Sequence, residues 1–524
     1  MRALSNEVFN IVTLIACLLI SACMVGPNYH EPPKKIAANW LYKGKAIRTR
    51  HIENANWWNV FHDPILTALI YYGYKNNLNL QSAGVRVLQA RAQLAQTVGE
   101  LYPQQQNLIG NFTDNRIGGT SLQSVLPTYF DTALLGANAT WELDFWGKYR
   151  RAILSNNAAF LASYAAYDSA LVSLTSDIAT AYINIRTTEE FIAVTQANIR
   201  IQTTAFKLSQ ARFNAGQISL LDVEQSQTEL AQTQSTLPEF ISILQREKDT
   251  LAVLLGTTPD QVNGLLIPKK GIPHTQEAVV IGIPKETIAK RPDIYQARMA
   301  AIAQAEAIGA TKANLYPAFS LTGTFALASN NIGASSLNDL FNWSSRTTTS
   351  GPAFNWPILN YGQLTNAVRI QDAVFQEALL QYLNLVLQAQ KEVQDNITRV
   401  IEARKSEHYL MVASQAAIKS TQLAMIRYKE GESDYTPVLN SERQQLRVQL
   451  SLTQRKGDIP KALVALYRAL GGGWQVRGCN DVVPAHIKKD MAARTYWGTL
   501  LQQQNHKPPI TKQQSIKNRY LPNW

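Results

Sequence analysis

The side chains that could support covalent or metal chemistry are few in this chain and widely separated. Among its 524 residues are three cysteines and seven histidines. The histidines are His30, His51, His62, His274, His408, His486 and His506. Neither residue type recurs at the spacing of a zinc site. No phosphate-binding loop, dinucleotide fingerprint or Gly-x-Ser-x-Gly motif occurs in a suitable context. We therefore expect no enzymatic activity, no cofactor and no bound metal.

Cys23 is the residue that lies in a motif for chemical modification. An apolar run from Ile11 to Ile20 precedes it, too short to cross a bilayer and typical of a signal-peptide core. The residues Ile20-Ser21-Ala22-Cys23 are similar to a bacterial lipobox, in which the cysteine becomes the acylated first residue of the mature protein. The motif predicts lipidation of Cys23. The alternative is an ordinary signal peptide in which this cysteine occurs by coincidence.

The charge balance is basic but unevenly distributed. The formal net charge is +12, and residues 477–524 alone hold eight Lys and Arg against two Asp. This C-terminal segment is rich in Pro, Gln and Asn, so we expect an extended or disordered tail. Either a solvated tail or a polycationic patch for anionic lipid or cell wall is compatible with it. The helical part of the chain has no basic stripe interleaved with aromatic residues, and we expect no nucleic-acid partner.

The two halves of the chain repeat each other at a spacing of 215 residues. This spacing separates Trp141 from Trp356 and Gly216 from Gly431. It also relates Gly147 to Gly362, Tyr167 to Tyr382, Arg212 to Arg427 and Gly256 to Gly471. The duplication predicts two structural units that pack as pseudo-equivalents.

Each half contains a predicted β-hairpin. From Ala133 to Trp141 apolar residues alternate with small or polar ones, which is the period of a strand with one polar face. In the second half, a strand from Phe319 is followed by a predicted loop over 330–350 and a strand over 351–358. Strands of about ten residues can cross an outer membrane at a tilt. A periplasmic β-domain with one solvated face is the alternative.

A very long helix is predicted after each hairpin. Residues 148–213 and 363–428 contain no proline, and a helix of that length reaches ~100 Å. Gly216 and Gly431 predict tight turns after them. The chain then runs back in two return helices, whose candidate N-caps are Ser219 and Ser433. Prolines inside the return helices, Pro238 and Pro460, predict bends.

These elements give a complete predicted organisation. Its segments are a signal peptide (1–22), an N-terminal tether (23–56), repeat 1 (57–256), an extended linker (257–285), repeat 2 (286–473) and a basic tail (474–524). Repeat 1 contains a helix, a hairpin (104–145), a long helix (148–213) and a return helix (219–255). Repeat 2 contains a helix, a hairpin (318–359), a long helix (363–428) and a return helix (434–470).

Counting strands leads to a prediction about assembly. No segment after the signal approaches 18 consecutive apolar residues, so any membrane crossing must use strands. Two hairpins supply four strands per chain, fewer than the roughly eight of the smallest membrane barrels. Three chains would supply about twelve, enough to enclose a channel. The predicted fold is an internally duplicated α+β membrane protein, with a trimeric 12-stranded outer-membrane β-barrel continued by long α-helical hairpins as a periplasmic α-barrel.

Several motifs in this order carry a family resemblance. They are Trp57-Trp58, Asp63-Pro64, Leu101-Tyr102-Pro103 with Leu315-Tyr316-Pro317, Trp141-Glu142-Leu143-Asp144, Arg291-Pro292-Asp293-Ile294 and Ala469-Leu470-Gly471-Gly472-Gly473-Trp474. Together with the lipobox, they resemble the TolC-like outer-membrane factor family, and most closely its NodT-type efflux lipoproteins of resistance-nodulation-division systems. The similarity covers roughly residues 20–475.

The resemblance implies partners and a gate. It implies a homotrimer anchored in outer-membrane lipid, whose helical tips meet a periplasmic adaptor and an inner-membrane resistance-nodulation-division pump. In the family an acidic gate lies near the second turn, and Asp434 is the first candidate for it. Asp434 could instead cap the return helix, and Glu442 could contribute a gate carboxylate in its place. Arg427 and Tyr428 could hold the closed state by bonds to a neighbouring chain.

The function that follows is passive export. We expect a trimeric exit duct for small molecules, such as drugs or other toxic compounds, delivered by a pump through an adaptor. A type I protein-secretion duct is an alternative of the same class. A periplasm-spanning structural or adhesive lipoprotein that transports nothing is an alternative of a different class.

Overall fold

The structure of the chain, a computed structural model, describes residues 24–41, 47–49, 55–118, 127–268, 271–274, 279–281 and 284–502. Cys23 and the predicted signal peptide lie outside the described residues. Within the described residues, no helix combines the length and the apolar character needed to cross a bilayer.

Ten α-helices, four short 3₁₀ helices and six strands are assigned in the described ranges. The first unit comprises α1 (Pro64–Asn76), α2 (Leu78–Gly99), β2 (Gln105–Arg116), β3 (Tyr129–Leu143), α3 (Lys148–Asn214) and α4 (Leu220–Leu255). The second comprises α7 (Pro292–Ala313), β5 (Ala318–Asn330), β6 (Arg346–Asn355), α8 (Gln363–Glu430) and α9 (Thr436–Ala469). Outside them lie β1 (Ile47–Thr49), α5 (Pro259–Leu265), β4 (Val279–Ile281), α6 (Pro284–Lys290) and α10 (Ala485–Arg494). The predicted long helices α3 and α8 are therefore confirmed to within two residues.

The duplication is visible in matching hydrogen bonds. The indole Nε1 of Trp141 donates to the carbonyl oxygen of Leu101 at 3.1 Å. The indole Nε1 of Trp356 donates to the carbonyl oxygen of Leu315, also at 3.1 Å. Each tryptophan thus ties the end of a hairpin to the turn before it. The two units make equivalent contacts, as the spacing of 215 residues predicted.

The main hydrophobic core lies where α1, α3, α4 and α9 meet, beneath the turn Trp57–Phe61. Trp58 is fully buried, and the Trp57 ring stacks on Tyr467 with centroids 5.5 Å apart. Asp63 begins α1, because its carboxylate accepts from the backbone N–H of Ile65 at 2.9 Å. The same carboxylate accepts from the Tyr182 hydroxyl at 2.6 Å, which joins α1 to α3.

The N-terminal segment is docked on the helices over its described part. The backbone N–H of Val25 donates to the carbonyl of Trp146 at 3.0 Å, at the base of the first hairpin. Further along, Ala37 donates to the side chain of Gln390 on α8 at 2.9 Å. Residues 24–41 therefore run along the body from the sheet toward its middle.

The linker differs from the prediction of an extended connector. Residues 259–265 form α5, and β4 pairs in parallel with β1 of the N-terminal segment. The linker is rich in proline, but two of its prolines, Pro259 and Pro284, each stand at the start of a helix. A proline in the first helical turn loses no hydrogen bond, which explains the difference.

Two element starts also differ from expectation. β6 begins at Arg346 and ends at Asn355, so part of the predicted loop is strand, in keeping with the β-branched Thr347, Thr348 and Thr349. α9 begins after Tyr435, so neither Ser433 nor Asp434 is its N-cap. Pro437 in its first turn fixes this later start. Both return helices continue through their internal prolines.

The first part of the C-terminal tail is folded, contrary to the prediction of an extended or disordered segment. Val482, Val483 and Met491 belong to the main hydrophobic core. Arg91 of α2 donates to the carbonyl oxygens of Leu500 and Gln502. The C-terminal extension, residues 474–502, is therefore packed on the body, and 503–524 lie outside the described residues.

Candidate functional site: the β-sheet and the helical tips

The two hairpins form one antiparallel sheet in the order β2-β3-β5-β6. Residues paired across neighbouring strands share a face, so the register assigns every side chain to one of two faces. Leu108 pairs with Ala137, which pairs with Phe325, which pairs with Thr348. Asn107 pairs with Asn138, which in turn pairs with Thr324. The two series define opposite faces.

One face of the sheet is mainly apolar and the other mainly polar. The apolar face carries Leu108, Phe112, Leu135, Trp141, Phe319, Leu321, Phe325 and Phe354, all largely exposed in the single chain. The polar face carries Asn107, Asn111, Thr113, Asn138, Thr140, Ser320, Thr322 and Thr324. An exposed apolar face that extends across four strands suits contact with lipid. The opposite face suits water.

An aromatic layer lies where the sheet meets the helices. The Trp146 ring stacks on Tyr316 with centroids 4.8 Å apart, and its Nε1 donates to the carbonyl oxygen of Pro317 at 2.8 Å. Phe145 packs against Phe319 at 5.5 Å. Aromatic residues concentrate at the interface between lipid and water in membrane barrels. Met24, the residue after Cys23, packs against Gly147 at this same level.

At the far end of the helices, the two turns have the predicted glycine conformation. Gly216 and Gly431 have φ of +71° and +82°, which favours glycine. Tyr428, just before the second turn, is fully buried within its own chain. Its hydroxyl and the Ser209 hydroxyl are 3.0 Å apart, and the Arg212 guanidinium lies 4.9 Å from its ring centre. Arg212 also donates to the Tyr428 carbonyl oxygen.

The other predicted gate residues fall into two groups. Arg427 is exposed and lies 3.7 Å from Glu432, and Asp434 is exposed between the turn and α9. Glu442 is buried, 2% exposed, and accepts a hydrogen bond from the Tyr435 hydroxyl at 3.2 Å. Burial raises the pKa of Glu442 to about 7. The structure therefore separates exposed Asp434 from buried Glu442.

The residues that join the two tips were not predicted from the sequence. Ser209 and Arg212 of α3 contact Tyr428 of α8. On α4, Glu229 is buried and accepts from Arg443 of α9 at 2.6 Å. The repeat spacing relates Arg212 to Arg427 but gives no signal for contacts between the repeats. Among the described residues, no three His, Cys, Asp or Glu side chains are grouped so as to hold a metal ion.

A duplicated chain with a two-faced β-sheet and ~100 Å helical hairpins belongs to the class of outer-membrane channel proteins. The sequence profile of the outer membrane efflux protein family matches residues 69–257 and 283–472, and the chain belongs to this family. The two matched segments correspond to the two repeats.

Named relatives are similar over nearly their whole length. Nodulation protein T of Rhizobium leguminosarum bv. trifolii is 27% identical over 87% of this chain and 96% of its own. Cation efflux system protein CusC of Escherichia coli O6:H1 is 26% identical over 87% and 97%. The toluene efflux pump outer membrane protein TtgI of Pseudomonas putida is 28% identical over 89% and 99%.

Solved structures share the architecture. The outer-membrane channel OprN superposes with a TM-score of 0.79 at 27% identity, over 86% of this chain and all of that one. The CmeC outer membrane channel of Campylobacter jejuni gives 0.76 at 20% identity, over 90% and 98%, which shows the fold alone. The chain is thus an outer-membrane efflux channel protein, as predicted.

Proposed function

We propose that three copies of this chain form a passive exit duct across the outer membrane. The observation that carries the proposal is the open sheet: within the described chain, β2 and β6 each have a strand on one side only. Unpaired strand edges in lipid leave backbone groups without hydrogen bonds. Pairing β6 of one chain with β2 of the next satisfies both edges, and three chains close a ring of twelve strands.

The same assembly explains the two faces of the sheet. Closure places Phe112, Leu135 and Phe325 toward lipid and the Asn and Thr face toward a water-filled lumen. The long helices α3 and α8 leave the barrel together and extend ~100 Å. They would continue the lumen through the periplasm as an α-barrel.

The duct requires partners that supply energy and cargo. One relative is named as a cation efflux system protein, and two are named as outer membrane proteins of a solvent and a toluene efflux pump. We propose that this chain likewise receives small molecules from an inner-membrane resistance-nodulation-division pump through a periplasmic adaptor at its helical tips. Exposed apolar side chains at the tips, Leu220, Leu221, Leu423 and Ile426, support a docking surface there.

A planar-bilayer recording of the purified chain tests the duct. We expect step-like ion conductance from an oligomer three times the mass of the chain. Complete absence of conductance under all gating conditions would favour the scaffold alternative instead. A protein-secretion duct would be indicated by an unfolded polypeptide, rather than a small dye, blocking the open pore.

Asp434 is proposed as the gate carboxylate, since it is exposed beside the second turn whereas Glu442 is buried. In the bilayer recording, Asp434→Ala should raise the closed-state leak several-fold and lower cation selectivity, because three carboxylates no longer face a narrow axis. Glu239→Ala, an exposed carboxylate on α4 away from the turn, is the control. If the two variants have equal effects on leak and selectivity, Asp434 is not the gate carboxylate.

Lipidation of Cys23 is proposed as the second membrane contact. Met24 packs at Gly147, at the level of the aromatic layer, and this position of Met24 supports a lipid anchor on the adjacent residue. A single acyl chain binds membranes weakly, and the barrel would supply the remaining anchorage. Mass spectrometry of the mature protein should show acyl chains that Cys23→Ser lacks. An unmodified N-terminal peptide in the wild-type protein would contradict the proposal.

A further inference from the structure

A buried group of charged residues lies between the two return helices near the tips. We call it the carboxylate cluster: Glu442, Arg443 and Tyr435 from the α9 side, and Glu229 from α4. Glu442 is 2% exposed and Glu229 is 4% exposed. Two carboxylates buried in one place are uncommon, because each loses the hydration that stabilises its charge.

The cluster contains a cation for only one of its carboxylates. The Arg443 Nε donates to the Glu229 carboxylate at 2.6 Å. Glu442 receives the Tyr435 hydroxyl at 3.2 Å on Oε2, while its Oε1 has no hydrogen-bond partner among the described residues. Arg443 is half exposed and reaches in from the surface. An ionised Glu442 would therefore add an uncompensated negative charge beside Glu229.

The remaining surroundings of Glu442 do not compensate that charge. From α8, Tyr428 packs against Tyr435 with ring centroids 5.4 Å apart. From α3, the buried side chains near this level are Gln202, Ala205 and Ser209, which are uncharged. Arg212 of α3 is a cation, but it lies over the Tyr428 ring.

The protonation state of Glu442 follows from these surroundings. Burial and the Glu229 charge both raise the pKa of Glu442, to about 7, while the Tyr435 hydrogen bond opposes the rise. With its proton, Glu442 is neutral and can donate a hydrogen bond. Without it, two buried carboxylates repel across the contact between α4 and α9.

The apolar packing at the tips is limited in extent. The apolar cluster at this end consists of five buried residues, separate from the main core. They are Ala205, Tyr428, Tyr435, Val438 and Leu439. A segment with a small separate core can open without global unfolding. A charge introduced beside Tyr435 therefore acts directly on this small cluster.

We propose that the carboxylate cluster is a proton-operated latch: protonated Glu442 holds the two helical hairpins of a chain together at their tips, and its ionisation releases them. The latch concerns packing within one chain. Its consequence for the pore rests on the proposed channel function.

The direction of the pH dependence is fixed by linkage. In the released form Glu442 meets water and recovers its ordinary pKa near 4.5, whereas in the latched form its pKa is about 7. Between these values the latched form binds the additional proton. The latch is therefore strongest at acidic pH, weakens by up to about tenfold per pH unit as the pH rises through this window, and changes no further above it.

Hydrogen exchange measured by mass spectrometry on the full-length protein in detergent tests the latch directly. After correction for intrinsic exchange, protection of tip peptides from α4 and α9 should fall at least tenfold between pH 5 and pH 7.5. Glu442→Gln, which cannot ionise, should remove this dependence. Glu224→Gln, which changes an exposed carboxylate near the same end of α4, should retain it.

A second variant keeps the test decisive. Arg443→Gln removes the cation that compensates Glu229, so the pH midpoint of tip protection should move upward. A pH-independent tip in the wild type, an unchanged dependence in Glu442→Gln, or an unmoved midpoint in Arg443→Gln would each overturn the latch. If tip protection depends on pH as expected but the protein conducts no ions at any pH, the latch is supported and the proposed channel function is rejected.

Discussion

Replacing Arg477 by methionine will detach the C-terminal extension from the body of the protein. The Arg477 guanidinium donates to both carboxylate oxygens of Asp168, at 3.0 and 3.3 Å. It also lies 5.0 Å from the centre of the Tyr164 ring. Both charged side chains are almost fully buried. Removing one partner of a buried ion pair leaves the other charge without compensation and costs about 3–5 kcal/mol.

The expected loss of free energy holding the extension on the body is large enough to detect by proteolysis. It corresponds to an increase of about a hundredfold or more in the detached fraction. Trypsin should then cut rapidly at Lys488, Lys489 and Arg494, because cleavage follows the open population when reclosing is fast. Burial already raises the pKa of Asp168 to about 6 despite the nearby Arg477. Loss of the guanidinium should raise that pKa further.

The matched control is another arginine of the same region. Arg468 pairs with Asp177 at 3.2 Å, but both side chains are about half exposed. An exposed pair contributes only ~0–1 kcal/mol. Trypsin should therefore cleave the Arg468→Met variant at nearly the wild-type rate. Similar cleavage of both variants would show that the Asp168 contact does not hold the extension in place.

The Arg477 contact also shows why the tail was mispredicted. Its composition is polar and basic, yet Asp168 lies 309 residues away along the chain. No local sequence pattern can indicate an ion-pair partner that is so distant along the chain. The long helices were predictable for the opposite reason, since the absence of proline and the glycines at their ends are local properties. The hairpins followed from alternation over a few residues in the same way.

Some features of the candidate gate were likewise predictable from local sequence and others were not. The turns at Gly216 and Gly431 were predictable because a left-handed backbone requires a particular residue type. The burial of Glu442 was not, since it depends on how α9 packs against α4. Local sequence also could not decide where α9 begins, and so whether Asp434 caps it or stays free near the turn.

The two repeats differ at their tips. The repeat spacing relates Tyr428 to Phe213 and Arg212 to Arg427. Tyr428 is fully buried and covered by Arg212, whereas Phe213 is 38% exposed and Arg427 extends into solvent. Repeat 1 therefore supplies the arginine and repeat 2 the aromatic ring to a single contact. The mirrored contact, between Arg427 and Phe213, is not made among the described residues.

Replacing Gly136 by valine should prevent the sheet from forming. Gly136 lies in β3 opposite Ala326 of β5, at the junction that joins the two hairpins. A Cβ at this position would lie 2.5 Å from the Phe325 carbonyl oxygen and 2.6 Å from the Ala326 Cβ. Both neighbours belong to β5, so the strands would have to separate. We expect at least a tenfold loss of folded, heat-modifiable oligomer on SDS gels.

A second glycine of the same junction separates steric conflict from a general effect of added bulk. Gly323 of β5 has nothing within 4 Å of the position that a Cβ would occupy, and it pairs with Ala139 on the apolar face. Gly323→Val should therefore assemble normally, since its side chain would meet lipid. If both variants assemble, the β3–β5 junction tolerates separation, and ring closure does not depend on one continuous four-stranded sheet in each chain. If only Gly136→Val fails, oligomer formation requires an intact junction between the two hairpins of each chain.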